Sequence, residues 1–329
     1  MRVNDYDYAY AVARIRVNEL GLLTSSDIEQ LASADSYEAA LRFLEEKGWI
    51  SSESDDVGAA LKKQMVNAWK LLREVAPDIS VLDFLIVRHD FHNIKAALKE
   101  FVSAAAFGFE NSGGDNFLTP SIADPEQVRD AVRNKDFDTL PDFAKDAAAQ
   151  TYDVLIRSAD GQLADIMLDA SALNATIGKA EMTRSAFVRE TAELICATAN
   201  IKIAFRAART GRDRQFLNTA LSDTATLDKD ALASAAESVE QLAGFISKTP
   251  YGDAAELIKT SGAAFERWCD DRLMSHVYKA RYIFLGVEPL IAFYIAKEAE
   301  IKNVRIILSC KRNELPYEAI RERVRKVYV

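Results

Sequence analysis

Cysteine, glycine and proline are all scarce in this chain. Its three cysteines, Cys196, Cys269 and Cys310, are odd in number and far apart, so no disulfide framework is implied and a reducing compartment fits. There are 13 glycines and 7 prolines in 329 residues, and no proline between Pro141 and Pro250, which favours long helices over strands and turns. No uninterrupted apolar run reaches the roughly 18 residues of a membrane span. The nearest, Tyr282 to Ala296, is broken by Glu288 and Pro289. Positive charge is also in deficit. A net charge of −9 disfavours both nucleic-acid binding over the whole surface and electrostatic docking on an anionic membrane. Asp5 and Asp7 stand where a signal peptide needs cations, and no apolar stretch follows, so none is expected.

Catalytic signatures are missing too. A phosphate-binding loop needs glycine amides around the phosphates in the pattern G-x-x-x-x-G-K-[ST]. Gly178-Lys179 has Leu173 at the first glycine and Ala180 at the hydroxyl, and so fails twice. There is no G-x-G-x-x-G, G-x-S-x-G, H-E-x-x-H or C-x-x-C. The most enzyme-like segment is His89-Asp90-Phe91-His92. On a helix His89 and His92 share a face and could ligate a metal, but His276 is the only other histidine and lies far away in sequence. Cys196 has the same offset from Asn200 as His89 has from Asn93, which suggests a packing position. The acid pairs Asp55-Asp56 and Asp270-Asp271 read as solvated. No cofactor and no metal is expected.

Helix signals run along the whole chain, and the fold class is all-α. Asn4 can cap a helix over residues 5–20, on which Tyr6, Tyr10 and Arg14 share one face and Tyr8, Val12 and Ile15 another. Short helices are predicted through Leu31 and from Asp35 to Gly48, and longer ones over 61–75 and 81–101. Residues 111–116, with Ser112, Gly113 and Gly114, make the clearest boundary. Pro125 suits a first helical turn. Leu140-Pro141 opens a long helical stretch, divided near Gly178 from a helix that ends near Gly211. Pro250 and Pro289 mark two further entries, and Leu315-Pro316 begins a last helix running to residue 329.

Within this pattern an asparagine recurs. Asn93-Ile94-Lys95, Asn200-Ile201-Lys202 and Asn303-Val304-Arg305 each read asparagine, β-branched, cation, at intervals of 107 and 103 residues. That period is the size of a small domain. Ile28, Val128 and Leu242 are each followed nine residues later by an aromatic, Tyr37, Phe137 and Tyr251. Three helical units are expected, over residues 1–113, 114–222 and 223–329. Asparagine is a poor mid-helix residue because its amide competes with the backbone. Three equivalent placements suggest an amide bonded to a neighbouring helix or loop in each unit.

Two cationic stripes stand out on this acidic chain. Lys202, Arg206 and Arg209 share one helical face, and the last helix carries Arg321, Arg323, Arg325 and Lys326. Lys202, Arg206, Arg209, Arg321 and Arg325 are candidate contacts to an acidic partner surface. The alternative is a solvated face near a helix C-terminus.

Tyr8-Ala9-Tyr10-Ala11-Val12-Ala13-Arg14-Ile15-Arg16 with Leu22-Leu23, Asp90-Phe91-His92-Asn93-Ile94-Lys95, and Glu300 to Ser309 carry a family resemblance over essentially the full length. The chain resembles the C-type subunits of the bacterial and archaeal V/A-type rotary ATPases, which are related to the d-type subunits of the eukaryotic V-type enzymes. Ala197 stands where the first unit has Asp90 and the third has Glu300, so the resemblance carries no acid-dependent contact to the middle unit. It implies three similar helical domains around a pseudo-threefold axis, forming a funnel with a central cavity. It also implies a non-catalytic coupling subunit between the central shaft and the membrane rotor ring, peripheral to the cytoplasmic face, in a complex that links ATP to proton or sodium transport. Two other readings remain at this stage: a helical scaffold for an unrelated protein, and a metal-dependent enzyme built on His89 and His92.

Overall fold

The computed structural model describes residues 4–51, 56–107 and 116–329, and among them every regular element is helical. Short polar side chains start most of the helices. Thr24, Ser36, Asp124, Asp160, Ser185, Asp228 and Ser238 each accept a backbone N–H from the first turn they precede. Such caps satisfy donors that a helix N-terminus otherwise leaves unpaired. Gly211, at φ 67°, ends the helix before it in the left-handed conformation that glycine adopts without strain.

Three helices of 25 residues each dominate: Asp83–Phe107, Ala186–Thr210 and Glu288–Arg312. They carry Asn93, Asn200 and Asn303 respectively. The chain forms two compact units, one of Met1–Ile79 with Glu256–Val329 and one of Ser80–Ala255. In the first unit, Val304, Ile307 and Leu308 of the third long helix pack with Ile28, Leu31, Leu41 and Leu44 of the short helices Ser25–Ser33 and Tyr37–Glu46. In the second unit, Phe91, Ile94 and Leu98 of the first long helix pack with Val128 and Val132 of Pro125–Asn134. The second long helix packs on Lys229–Ala235 and Val239–Ile246. Each long helix thus packs on at least one short helix beyond the boundary of its expected unit, and the compact units do not follow the boundaries read from the repeat. Of those boundaries, 113/114 lies outside the described residues, and 222/223 falls in a loop after Arg214–Ala220.

The elements depart from the sequence expectation in three places. Gly178 does not divide the long helical stretch; it lies inside Gly161–Glu181. The breaks come at Ala159, held at φ 54°, and before Ser185. One glycine costs a helix only about 1 kcal/mol, and packing overrides that. The last helix is Tyr317–Arg323 and does not reach residue 329. The segment after it is drawn off the helical path by side chains described below. Third, Tyr37, Phe137 and Tyr251 stand equally far past the N-caps Thr24, Asp124 and Ser238, but a short helix that the sequence did not announce, Lys229–Ala235, precedes Ser238.

Candidate docking surfaces and the repeated asparagine clasp

Asn93, Asn200 and Asn303 are each fully buried in the middle of their long helices. Each amide grips one residue of a loop by both backbone groups. Asn93 donates through Nδ2 to the Leu118 carbonyl at 3.0 Å and accepts the Leu118 N–H at 2.7 Å. Asn200 does the same to Ser222 at 2.8 and 3.1 Å, and Asn303 to Arg325 at 3.0 and 2.8 Å. A primary amide carries a donor and an acceptor side by side whatever the pH, so it mimics a strand partner for a loop that has none. Two buried bonds contribute roughly 1–3 kcal/mol net, and losing them strands both loop groups without water.

An acid on the same helix face holds the loop a few residues further on. Asp90 accepts the N–H groups of Ile122 and Ala123 at 3.1 and 2.7 Å, just before the cap Asp124. Burial pushes its carboxyl up to about 6, and the two N–H donors offset this only in part. Glu300 accepts the N–H of Leu23, just before the cap Thr24. Burial raises its carboxyl as well, opposed by the Lys297 ammonium at 2.6 Å. On the second long helix, where Ala197 stands in place of the acid, Glu193 one helical turn earlier accepts from the N–H groups of Ala225 and Thr226 at 3.1 and 2.8 Å. Its longer side chain and the shared helix face put it within reach of the loop before the cap Asp228. Sequence reasoning missed Glu193. The signal was there, an acid two turns before the asparagine on the same face.

The histidines belong to the same clasp. His89 donates from Nδ1 to the Pro120 carbonyl at 2.6 Å, and His92 from Nε2 to the Asn116 carbonyl at 3.0 Å. No third ligand joins them, and among the described residues no group of three or more His, Cys, Asp or Glu could hold a metal ion. The Asp270-Asp271 pair is not solvated as expected. Asp270 binds Lys302 at 2.5 Å and Arg325 at 2.9 Å, and Asp271 accepts the Lys326 N–H at 2.6 Å. Of the other acid pair, Asp56 caps Val57–Val75 and Asp55 lies outside the described residues.

The cationic candidates separate. Arg206 and Arg209 are exposed on the second long helix and Lys202 is half-buried, with the Arg209 guanidinium 5.5 Å from the Phe205 ring centre. Arg321 is exposed on Tyr317–Arg323. Arg325 is buried; its charge is spent on Asp270 and the Arg323 carbonyl, which removes it from the surface contacts. Each of the three recurring aromatics has a partner within the chain. Tyr37 accepts from Arg312 at 2.8 Å, Phe137 packs on Tyr152 at 5.5 Å between centroids, and Tyr251 is bonded to Thr226 at 2.8 Å.

Among the described residues no helix is long and apolar enough to cross a membrane. The described residues are all-helical or loop, and their most elaborate polar groups clamp the chain's own loops. Its family is given by a match over residues 11–323 to the ATP synthase (C/AC39) subunit family, and the chain belongs to that family. It is 26% identical to the C-type subunit of the V-type sodium ATPase of Enterococcus hirae, over 95% of this chain and 97% of that one. It is 25% identical to the C-type subunit of the A-type ATP synthase of Haloferax volcanii, over 94% and 95%. To the corresponding A-type ATP synthase subunit of Methanothermobacter thermautotrophicus it is 23% identical, over 93% and 84%.

Proposed function

We propose that this chain is the non-catalytic coupling subunit of a V/A-type rotary ATPase, seated at the cytoplasmic face between the central shaft and the membrane rotor ring. The observation that carries this is the family match, which runs almost end to end with relatives named as C-type subunits of such ATPases. The repeated clasp supports a three-unit build around a pseudo-threefold axis with a central cavity. Glu300 holds the loop before Ser25–Ser33 in the way Asp90 holds the loop before Pro125–Asn134, so the third unit is tied to the first as the first is tied to the second. A repeat closed in this way suits a stiff collar, because tightly packed helices transmit strain with little deformation.

Lys202, Arg206, Arg209 and Arg321 are the cations offered to acidic partner surfaces. Affinity purification of the tagged chain from isolated membranes tests both levels of the reading. Recovery of shaft and ring subunits is expected, and the double reversal Arg206→Glu, Arg209→Glu should lower shaft recovery at least tenfold. A chain recovered alone overturns the coupling role. Undiminished recovery with the reversal removes the two arginines only.

A further inference from the structure

The first helix is apolar on two opposite sides. One side, with Tyr8, Ala11, Val12 and Ile15, is buried and packs on the third long helix. The other carries Tyr6, Tyr10, Ala13, Val17 and Leu20, all exposed, and Tyr6 and Leu20 are 78% and 86% accessible. Tyr10, Ala13 and Val17 lie on the α-helix Ala9–Glu19, Tyr6 on the 3-10 turn Asp5–Tyr8 that leads into it and Leu20 at its C-cap. Their spacing of four, three, four, three follows the a/d alternation of a coiled-coil seam, and the Arg14 guanidinium lies against Tyr10. A surface helix ordinarily turns charge to water there.

A second segment extends the surface. Arg16 donates to the Ala280 and Ile283 carbonyls at 2.6 and 2.8 Å, and the Gly286 N–H donates to the Asp5 carbonyl at 3.2 Å. These bonds fix the loop 282–286 alongside the seam, with Tyr282 and Phe284 exposed at its edge. At roughly 150–250 Å² per aromatic side chain, the four rings with Val17 and Leu20 present about 800 Å² of apolar surface. A typical monomer's largest apolar patch is about 300–600 Å², and about 800 Å² is one partner's share of a standard interface.

We propose that this face is half of a coiled-coil-type interface, and that its occupant is an α-helix of another polypeptide bearing an apolar seam of the same period. The small side chain of Ala13, between Tyr10 and Val17, leaves a hole into which a partner side chain fits as a knob. Lipid is the poorer occupant: Asp5 and Asp7 are exposed at the start of the seam and the chain is acidic overall, so an anionic headgroup surface repels it. The proposal rests on the chain being one subunit of an assembly, and not on which subunit meets the seam.

A photo-cross-linking side chain placed singly at Tyr10 and at Val17, with Asn18 as an exposed off-seam control, tests this in membranes isolated from cells making the substituted chain. Both seam positions should give an adduct with the same foreign polypeptide. The attachment points should map to one helix at three- and four-residue spacing, with yields at least fivefold above Asn18. An adduct with a second copy of this chain, a lipid adduct, equal yield at Asn18 or no adduct overturns the proposal. Val17→Asp with Leu20→Asp should leave the circular dichroism unchanged and cut retention in the purified complex tenfold, whereas Val17→Ile should not. If no other ATPase subunit is recovered yet the adducts still map to a foreign helix, the coupling role falls and the seam stands.

Discussion

At the scale of single residues, the clasps set a buried carboxylate beside a buried amide, and only one of the two responds to pH. Asp90 titrates near 6 in the folded chain, above the ordinary value of 3.8, because its burial outweighs the N–H groups of Ile122 and Ala123. Between those two values the folded chain holds a proton that the unfolded chain has released. The group's contribution to stability therefore falls as pH rises from about 4 to 6 and is flat above that. Acidification from pH 7 to pH 5 should stabilise the native chain by roughly 1 kcal/mol relative to Asp90→Asn, which has no such proton to bind. Urea unfolding of both proteins at the two pH values measures the difference directly. Parallel stability profiles would mean that the two N–H donors, and not burial, set the carboxyl.

At the scale of elements, the long helices, the all-helical class and the three asparagines were legible in the sequence, because caps, a proline at the first turn and an awkward mid-helix amide leave local marks. The partner of each asparagine was not legible. Leu118, Ser222 and Arg325 share no chemistry, since the amide reads their backbone; the Ser222 hydroxyl alone adds a side-chain bond, donated to Asn200 Oδ1 at 3.2 Å. Arg325 shows the same limit from the other side: a cation two residues past a helix looks like surface charge until Asp270 and Asn303 are seen to hold it. Glu193 shows how a clasp survives the loss of its acid. With Ala197 in the expected place, the carboxylate has moved back one turn and still reaches the loop before the next helix. Glu193→Ala should free the Ala225 and Thr226 amides, raising their hydrogen exchange at least tenfold while Asn200 keeps Ser222 protected. Exchange unchanged at both amides would show that Glu193 is incidental to the loop.

At the scale of the whole molecule, the segment 324–329 links distant parts of the unit formed by Met1–Ile79 and Glu256–Val329. Asn303 clasps Arg325, Asp271 takes the Lys326 N–H, Arg281 donates to the Tyr328 carbonyl at 3.1 Å, and the Ser25 N–H donates to the Val329 carbonyl at 3.2 Å. The Tyr328 side chain is buried and meets Tyr278 edge-on at 6.1 Å between centroids. Removing residues 325–329 leaves Asp270 with Lys302 as its partner; it also strands the buried Asn303 amide and opens a cavity where Tyr328 sat. Each of the last two costs on the order of 1–4 kcal/mol. The loss should be confined to one unit, because every one of these partners lies in it. Hydrogen exchange with mass spectrometry on the shortened chain should show lost protection over Ser25–Glu46 and Gly262–Val277. Peptides from Ala186–Thr210 and Gly161–Glu181 should keep theirs. Uniform loss across both sets would mean that the two compact units unfold as one, and that the closing contacts at Leu23 and Ser25 hold the entire chain rather than the unit they lie in.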